Sequence, residues 1–290
     1  MKYYLKFMRL YYAILSVIAP KYAAKKAFAL FQTVRIKTFK KREKALYEKA
    51  KYFKVAHASQ EVDCYELGNP NGALVFLVHG WDSNAGSLSK FAFQLAENNY
   101  RVISFDLPAH AHATTQYTNL YDCKEAFIRI VEHINPQSPF SVISHSFGSA
   151  VVSTALANSS YEVDRLIFLT TPNKLIQIFK GFKNFINLGD NAFEIFLKNA
   201  YDIFGERVEA LSVQEKIKTI KYQNLLLIHD KHDKALPYKN SVEIADSSRN
   251  ATLISFEKIG HYRMLWEQQV VDATLGFLKE KSIREINEAL

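Results

Sequence analysis

Six short apolar runs punctuate the chain and constrain its fold more than any other feature. They are ALVFLVH (73–79), RVISFD (101–106), FSVISH (140–145), RLIFLT (165–170), NLLLIHD (224–230) and TLISFE (252–257). Each has the length of a strand and too little alternation for one face to meet water, so each reads as a strand buried on both faces. Helix-length segments at 86–98, 121–134, 147–158, 239–247 and 264–280 follow or separate them. That alternation predicts an α/β fold, a mostly parallel sheet with helices on both faces. VDCYEL (62–67) is expected to pair antiparallel at the start, and the turn cluster GNPNG (68–72) to form a hairpin loop.

One connection breaks the rhythm. More than fifty residues separate Thr170 from Leu225, too many for a loop without structure of its own. Its aromatic spacing predicts two short helices, read as a small helical cap over residues 173–218 at the carboxyl end of the sheet, where open α/β folds bind ligands. Phe182 and Phe196 are the expected apolar pocket residues of that cap.

Chemistry in such a sheet sits at strand ends. The third apolar run ends in SHSFG, with Ser146 where a sharp strand-to-helix turn would expose its hydroxyl. Ser144 and Gly148 flank it, small enough for strand and helix to approach. A serine nucleophile needs a base, and the base an orienting acid. His261 follows Gly260 after the last run, and Asp230 and Asp233 follow the one before it. Asp233, three residues beyond the strand and ahead of Pro237, is the expected acid; Asp230 is expected to complete the strand and cap the turn. Donors for an oxyanion are expected from the backbone amides of Phe147 and Trp81, Gly80 permitting close approach and His79 bonding backbone in that loop.

The set HGW, FDLPAHAHA, SHSFGS, IHDKHDKALPY and GHYRML, in this order over residues 73–280, resembles the α/β-hydrolase superfamily, especially its serine hydrolases of esterase and lysophospholipase type. The chain departs from the family pattern at Ser144, where most members have glycine, and at Ala109 and Ala111, where the loop often has glycines. The resemblance implies a cofactor-free hydrolase with catalytic Ser146, Asp233 and His261, acting on an uncharged or lipid-like ester. An acyl thioesterase uses the same machinery, and a ligand-binding scaffold on a retired hydrolase fold is the alternative from another class.

The histidines in HAH (110–112) and HDKHD (229–233) could in principle ligate a metal, but HAHATT lacks the Asp-His continuation of a binuclear metallohydrolase and the triad claims Asp233 for itself. No metal is expected. The two cysteines, Cys64 and Cys123, read as buried small hydrophobes.

The net charge of +8 is lopsided. Residues 1–54 carry fifteen lysines and arginines against Glu43 and Glu48, a balance of +13 that leaves −5 on the rest of the chain. A basic groove for nucleic acid is therefore not expected. Residues 1–55 read as a basic amphipathic helical arm, with the hydrolase core in 56–172 and 219–290. Within the arm the apolar run Leu10–Ala19, stopped by Pro20, is too short to span a bilayer and lacks a clean cleavage site. Ala23, Ala27, Leu30 and Phe31 recur at helical spacing among lysines; that stripe either lies on an anionic membrane surface or packs on the body. The expected location is cytoplasmic or peripheral at a membrane, and the oligomeric state is left open.

Overall fold

A computed structural model describes residues 2–279 apart from Ser59; residues 280–290 of the expected core and helix end lie outside the described residues. Three helices open the chain, α1 (Lys2–Ile18), α2 (Pro20–Phe31) and α3 (Lys41–Lys49), followed by strands β1 (Lys51–His57), β2 (Gln60–Gly68) and β3 (Leu74–Val78). Next come α4 (Ser89–Glu97), β4 (Arg101–Phe105), α5 (Leu120–Ile134), β5 (Phe140–His145), α6 (Phe147–Leu156) and β6 (Glu162–Leu169). The long connection holds α7 (Ile176–Ile186), α8 (Asp190–Phe204) and α9 (Val213–Ile217). Strand β7 (Lys221–Asp230), α10 (Lys239–Ser247), β8 (Ala251–Phe256) and α11 (Gln268–Lys279) complete the described chain.

The strands form one sheet in the order β1-β2-β4-β3-β5-β6-β7-β8. The pairs β1/β2 and β2/β4 are antiparallel and the other five parallel. Alternate side chains of each inner strand feed two different cores, as the pleat requires. In β3, Phe76 and Val78 join the core beneath α5 and α6, while Val75 and Leu77 join the one beneath α4 and α11. Both faces are therefore dry, which is why these strands are apolar throughout. Each fully buried Val, Leu or Phe contributes about 1.5–3 kcal/mol.

Local signals set the helix limits. The Asn119 side chain accepts from the Tyr121 and Asp122 amides to start α5, and Asn135 in the left-handed region ends it. Helix α6 is mostly small residues, which lets it lie against the sheet: a Cβ on Gly148 would stand 2.5 Å from the Val78 carbonyl oxygen and 2.6 Å from that of His79.

Two expectations are corrected. The arm does not stay helical to residue 55, because Lys51–His57 is an edge strand paired along its length with β2. Its exposed residues include Lys51 and Lys54, as an edge strand tolerates, and so it blended into the basic arm. GNPNG is not a hairpin loop, because β4 inserts between β2 and β3 and pairs with both.

The stripe Ala23, Ala27 and Phe31 faces inward. Ala23 and Ala27 are fully buried, and the Phe31 ring lies 4.6–5.5 Å from those of Phe179, Phe182 and Phe196. Of the two readings of that stripe, packing on the body is the one the structure shows.

Candidate active site

Strand β5 ends at His145 and α6 begins at Phe147, so Ser146 alone makes the turn. Its backbone sits at φ 52°, ψ −120°, a sparsely populated region for a residue with a Cβ, at a cost of order 1–3 kcal/mol. Neighbours hold it there: the Ser146 amide donates to the Leu169 carbonyl at 2.9 Å, and its own carbonyl accepts from Ser149 at 2.9 Å. Ser144 fits where glycine was the family's expectation, fully buried with its hydroxyl 3.0 Å from that of Ser149.

The structure brings Ser146, His261 and Asp233 together. The Ser146 hydroxyl stands 3.0 Å from His261 Nε2, and His261 Nδ1 stands 2.7 Å from Asp233 Oδ2. With Asp233 ionised, Nδ1 must carry the proton, which leaves Nε2 free to accept from the serine. Burial opposes ionisation of Asp233, but hydrogen bonds from His229 and His261 and from the Leu236 amide outweigh it and hold the carboxyl well below its ordinary range.

Asp230 serves the same loop from behind. Its Oδ2 accepts from the Ile259 and Gly260 amides and its Oδ1 from the His232 backbone amide, so it fixes the turn that delivers His261. His145, which the sequence left without a role, donates from Nε2 to the His261 carbonyl at 3.1 Å. Burial, then the neighbouring His261, push His145 down to about 3, so it stays neutral.

Trp81 and Phe147 line the same cavity as Ser146, their rings 5.1 Å apart and edge to face. The loop carrying Trp81 is clamped by two neutral histidines. His79 donates from Nδ1 to the Gly80 carbonyl and accepts at Nε2 from the Leu107 amide; His110 donates from Nδ1 to the Pro108 carbonyl and accepts at Nε2 from the Asp82 backbone amide. Burial drives both pKa values down, that of His110 to about 4. A third tie was not legible in the sequence: the Arg35 amide, just after α2, donates to Asp82 Oδ1 at 2.7 Å.

The cavity above Ser146 has a volume of about 590 Å³. Of the two cap phenylalanines, Phe182 lines it and Phe196 does not. Phe196 is fully buried behind the wall, in the aromatic cluster with Phe31, Phe179 and Phe182. Phe28, Phe31 and Gln32 of the N-terminal arm also line the cavity, a contribution sequence spacing alone could not assign because their partner is 150 residues away. Of the other histidines in the HAH and HDKHD segments, His112 stacks on Phe39, and His229 faces Ser241, Leu236 and, at 3.5 Å, the Asp233 carboxylate. Among the described residues, no group of three or more His, Cys, Asp or Glu side chains could hold a metal ion.

A family model described as serine aminopeptidase, S33 matches residues 69–200. No curated protein matches the chain. Among solved structures, an esterase from Pyrococcus furiosus is similar at 18% identity and TM-score 0.64, covering 85% of this chain and 96% of its own. A bromoperoxidase from Bacillus anthracis is similar at 16% and 0.62, covering 79% and 100%. A bacterial membrane phospholipase A is similar at 16% and 0.62, covering 96% of this chain and 98% of its own, so the likeness in fold reaches into the N-terminal helices.

Proposed function

We propose that this chain, an α/β hydrolase in fold, is a serine hydrolase that cleaves an uncharged or lipid-like carboxylic ester through an acyl-enzyme on Ser146. The observation that carries the reading is the hydrogen-bonded line from Ser146 through His261 to a buried Asp233, opening into an apolar cavity.

In this account the Ser146 oxygen attacks the ester carbonyl carbon while His261 Nε2 takes the hydroxyl proton. Asp233 holds the proton-bearing Nδ1 and stabilises the imidazolium that forms. The Trp81 and Phe147 amides receive the oxyanion, the second with the aligned dipoles of α6 behind it. His261 then returns its proton to the leaving alcohol as the ester bond breaks. A water, deprotonated by His261, attacks the acyl-serine, and Ser146 leaves reprotonated with release of the carboxylic acid.

The apolar walls of Phe28, Phe31 and Phe182 suit an acyl chain, and the esterase and membrane phospholipase A among similar folds favour an ester or lipid substrate. A fluorophosphonate probe tests the reading directly. The folded protein should gain one phosphonyl group on Ser146; folded protein that stays unlabelled contradicts it.

A further inference from the structure

Helix α1 is packed on one side only. Buried Tyr12 and Ser16 face the cap, with the Ser16 hydroxyl accepting from the Gly189 amide at 2.9 Å, and Arg9 donating to the Asn184 and Phe185 carbonyls at 2.8 and 3.0 Å. The opposite side carries Tyr3, Phe7, Leu10, Ile14, Val17 and Ile18, all exposed, Tyr3 and Val17 by more than four fifths. Their spacing of three or four residues puts them on one face of the helix. A contiguous apolar stripe this long, left open to water on a well-packed chain, marks a surface that something covers.

Charge identifies what covers it. No acidic residue precedes Glu43, whereas eleven lysines and arginines do, and Lys6, Lys21, Lys25 and Lys26 are exposed on α1 and α2 themselves. A second copy of the chain would set these like charges against each other across a two-fold contact. A bilayer with anionic headgroups meets both properties at once, receiving the apolar face among its acyl chains and the lysines at its phosphates. The helix lies in the surface rather than across it: among the described residues no helix is long and apolar enough to cross a membrane.

We infer that the outward face of α1 seats the protein on an anionic lipid bilayer, with the Ser146 cavity drawing its ester from that membrane. Helix α1 is bonded to the end of α7, and the exposed α7 residues Ile178 and Phe185 line the cavity, so its apolar wall reaches the surface beside the seat. The membrane stripe is thus on α1, whereas the α2 stripe singled out by sequence spacing belongs to the interior. The source of the substrate rests on the hydrolase reading above; the seat itself does not.

The experiment uses the full chain, wild type beside the double variant Phe7→Asp/Val17→Asp, whose altered residues are exposed and away from the cavity. Co-sedimentation is measured with phosphatidylcholine vesicles with and without phosphatidylglycerol, at about 0.05 M and about 0.5 M salt. Wild type should bind the anionic vesicles, more weakly at high salt, and the variant should lose about tenfold or more in affinity, since two buried apolar contacts become charges. Hydrolysis of a soluble short-chain ester should be unchanged in the variant while hydrolysis of an ester lipid in those vesicles falls. Wild type that ignores vesicles, or a variant that binds them equally, overturns the inference. A wild-type dimer that the variant dissociates, without vesicle binding, also overturns it and assigns the face to a second copy. If neither protein hydrolyses any ester, the hydrolase reading fails and the binding arm still decides the seat.

Discussion

The Asp233 oxygen that accepts from His261, Oδ2, also faces His229 Nε2 at 3.5 Å. His229 is itself fixed, its Nδ1 2.7 Å from the Ser241 hydroxyl and its Nε2 3.2 Å from the Leu236 carbonyl. A histidine at the buried carboxyl end of strand β7 thus braces the carboxylate that orients His261. A hydrogen bond to a charged group is worth about 1.5–3 kcal/mol, and His229→Gln should lose part of that, lowering kcat about tenfold with KM little changed. Steady-state kinetics on a p-nitrophenyl ester check this; an unchanged kcat would make His229 a packing residue only.

Gly148 lets α6 lie close against the end of β3, and a methyl there would press on two carbonyl oxygens at 2.5 and 2.6 Å. Gly148→Ala should destabilise by about 1–3 kcal/mol and displace Ser146. Gly181, in the middle of α7, has nothing within 4 Å of its would-be Cβ, so Gly181→Ala should be neutral or stabilise by up to about 1 kcal/mol. Urea denaturation of both variants separates the two effects; equal losses would refute the packing account.

Phe182 and Phe196 occupy similar positions along the cap helices yet face different surroundings. Phe182→Ala should raise KM more for long acyl esters than short ones, because it opens the cavity wall. Phe196→Ala should cost about 3–5 kcal/mol of stability through a cavity in the aromatic cluster. A chain-length series beside thermal melts tests both, and a uniform KM change for Phe182→Ala would remove it from the acyl site.

These residues show what the sequence could and could not reveal. The inner strands were legible because burial on both faces demands unbroken apolar runs, and the SHSFG elbow because the turn admits few residues. Strand β1 was not, since its KYFK start satisfies a half-exposed edge and a basic arm equally. Periodicity located the apolar faces of α2 and the cap, but not which one meets a cavity, a core or solvent; that depends on partners distant in the chain. The roles of His145 and His229 arise from loops brought together by β5 and β7, and no spacing encodes them.

Stability should fall on acidification well above the usual carboxylate range. Burial holds His79, His110 and His145 below the ordinary value of 6.5, the last two to about 4 and about 3. The unfolded chain therefore takes up protons below pH 6.5 that the folded chain refuses, a loss of about 1.4 kcal/mol per pH unit for each histidine. Asp106 opposes one of them: burial lifts it to about 7 despite donors from Ala85, Tyr47 and Tyr65, so it favours the folded state less as pH rises from 4 to 7. Asp233, held low, adds its own loss below about pH 4. The urea midpoint should be lower at pH 5 than at pH 7.5; an equal or higher midpoint would contradict the neutral buried histidines.

The most direct test of the account is p-nitrophenyl ester hydrolysis across short to long acyl chains, wild type beside Ser146→Ala, with folding verified for both. Wild type should turn over these esters, and the variant should lose at least about a thousandfold in kcat. Hydrolysis that survives the loss of the Ser146 hydroxyl would contradict an acyl-enzyme at this elbow.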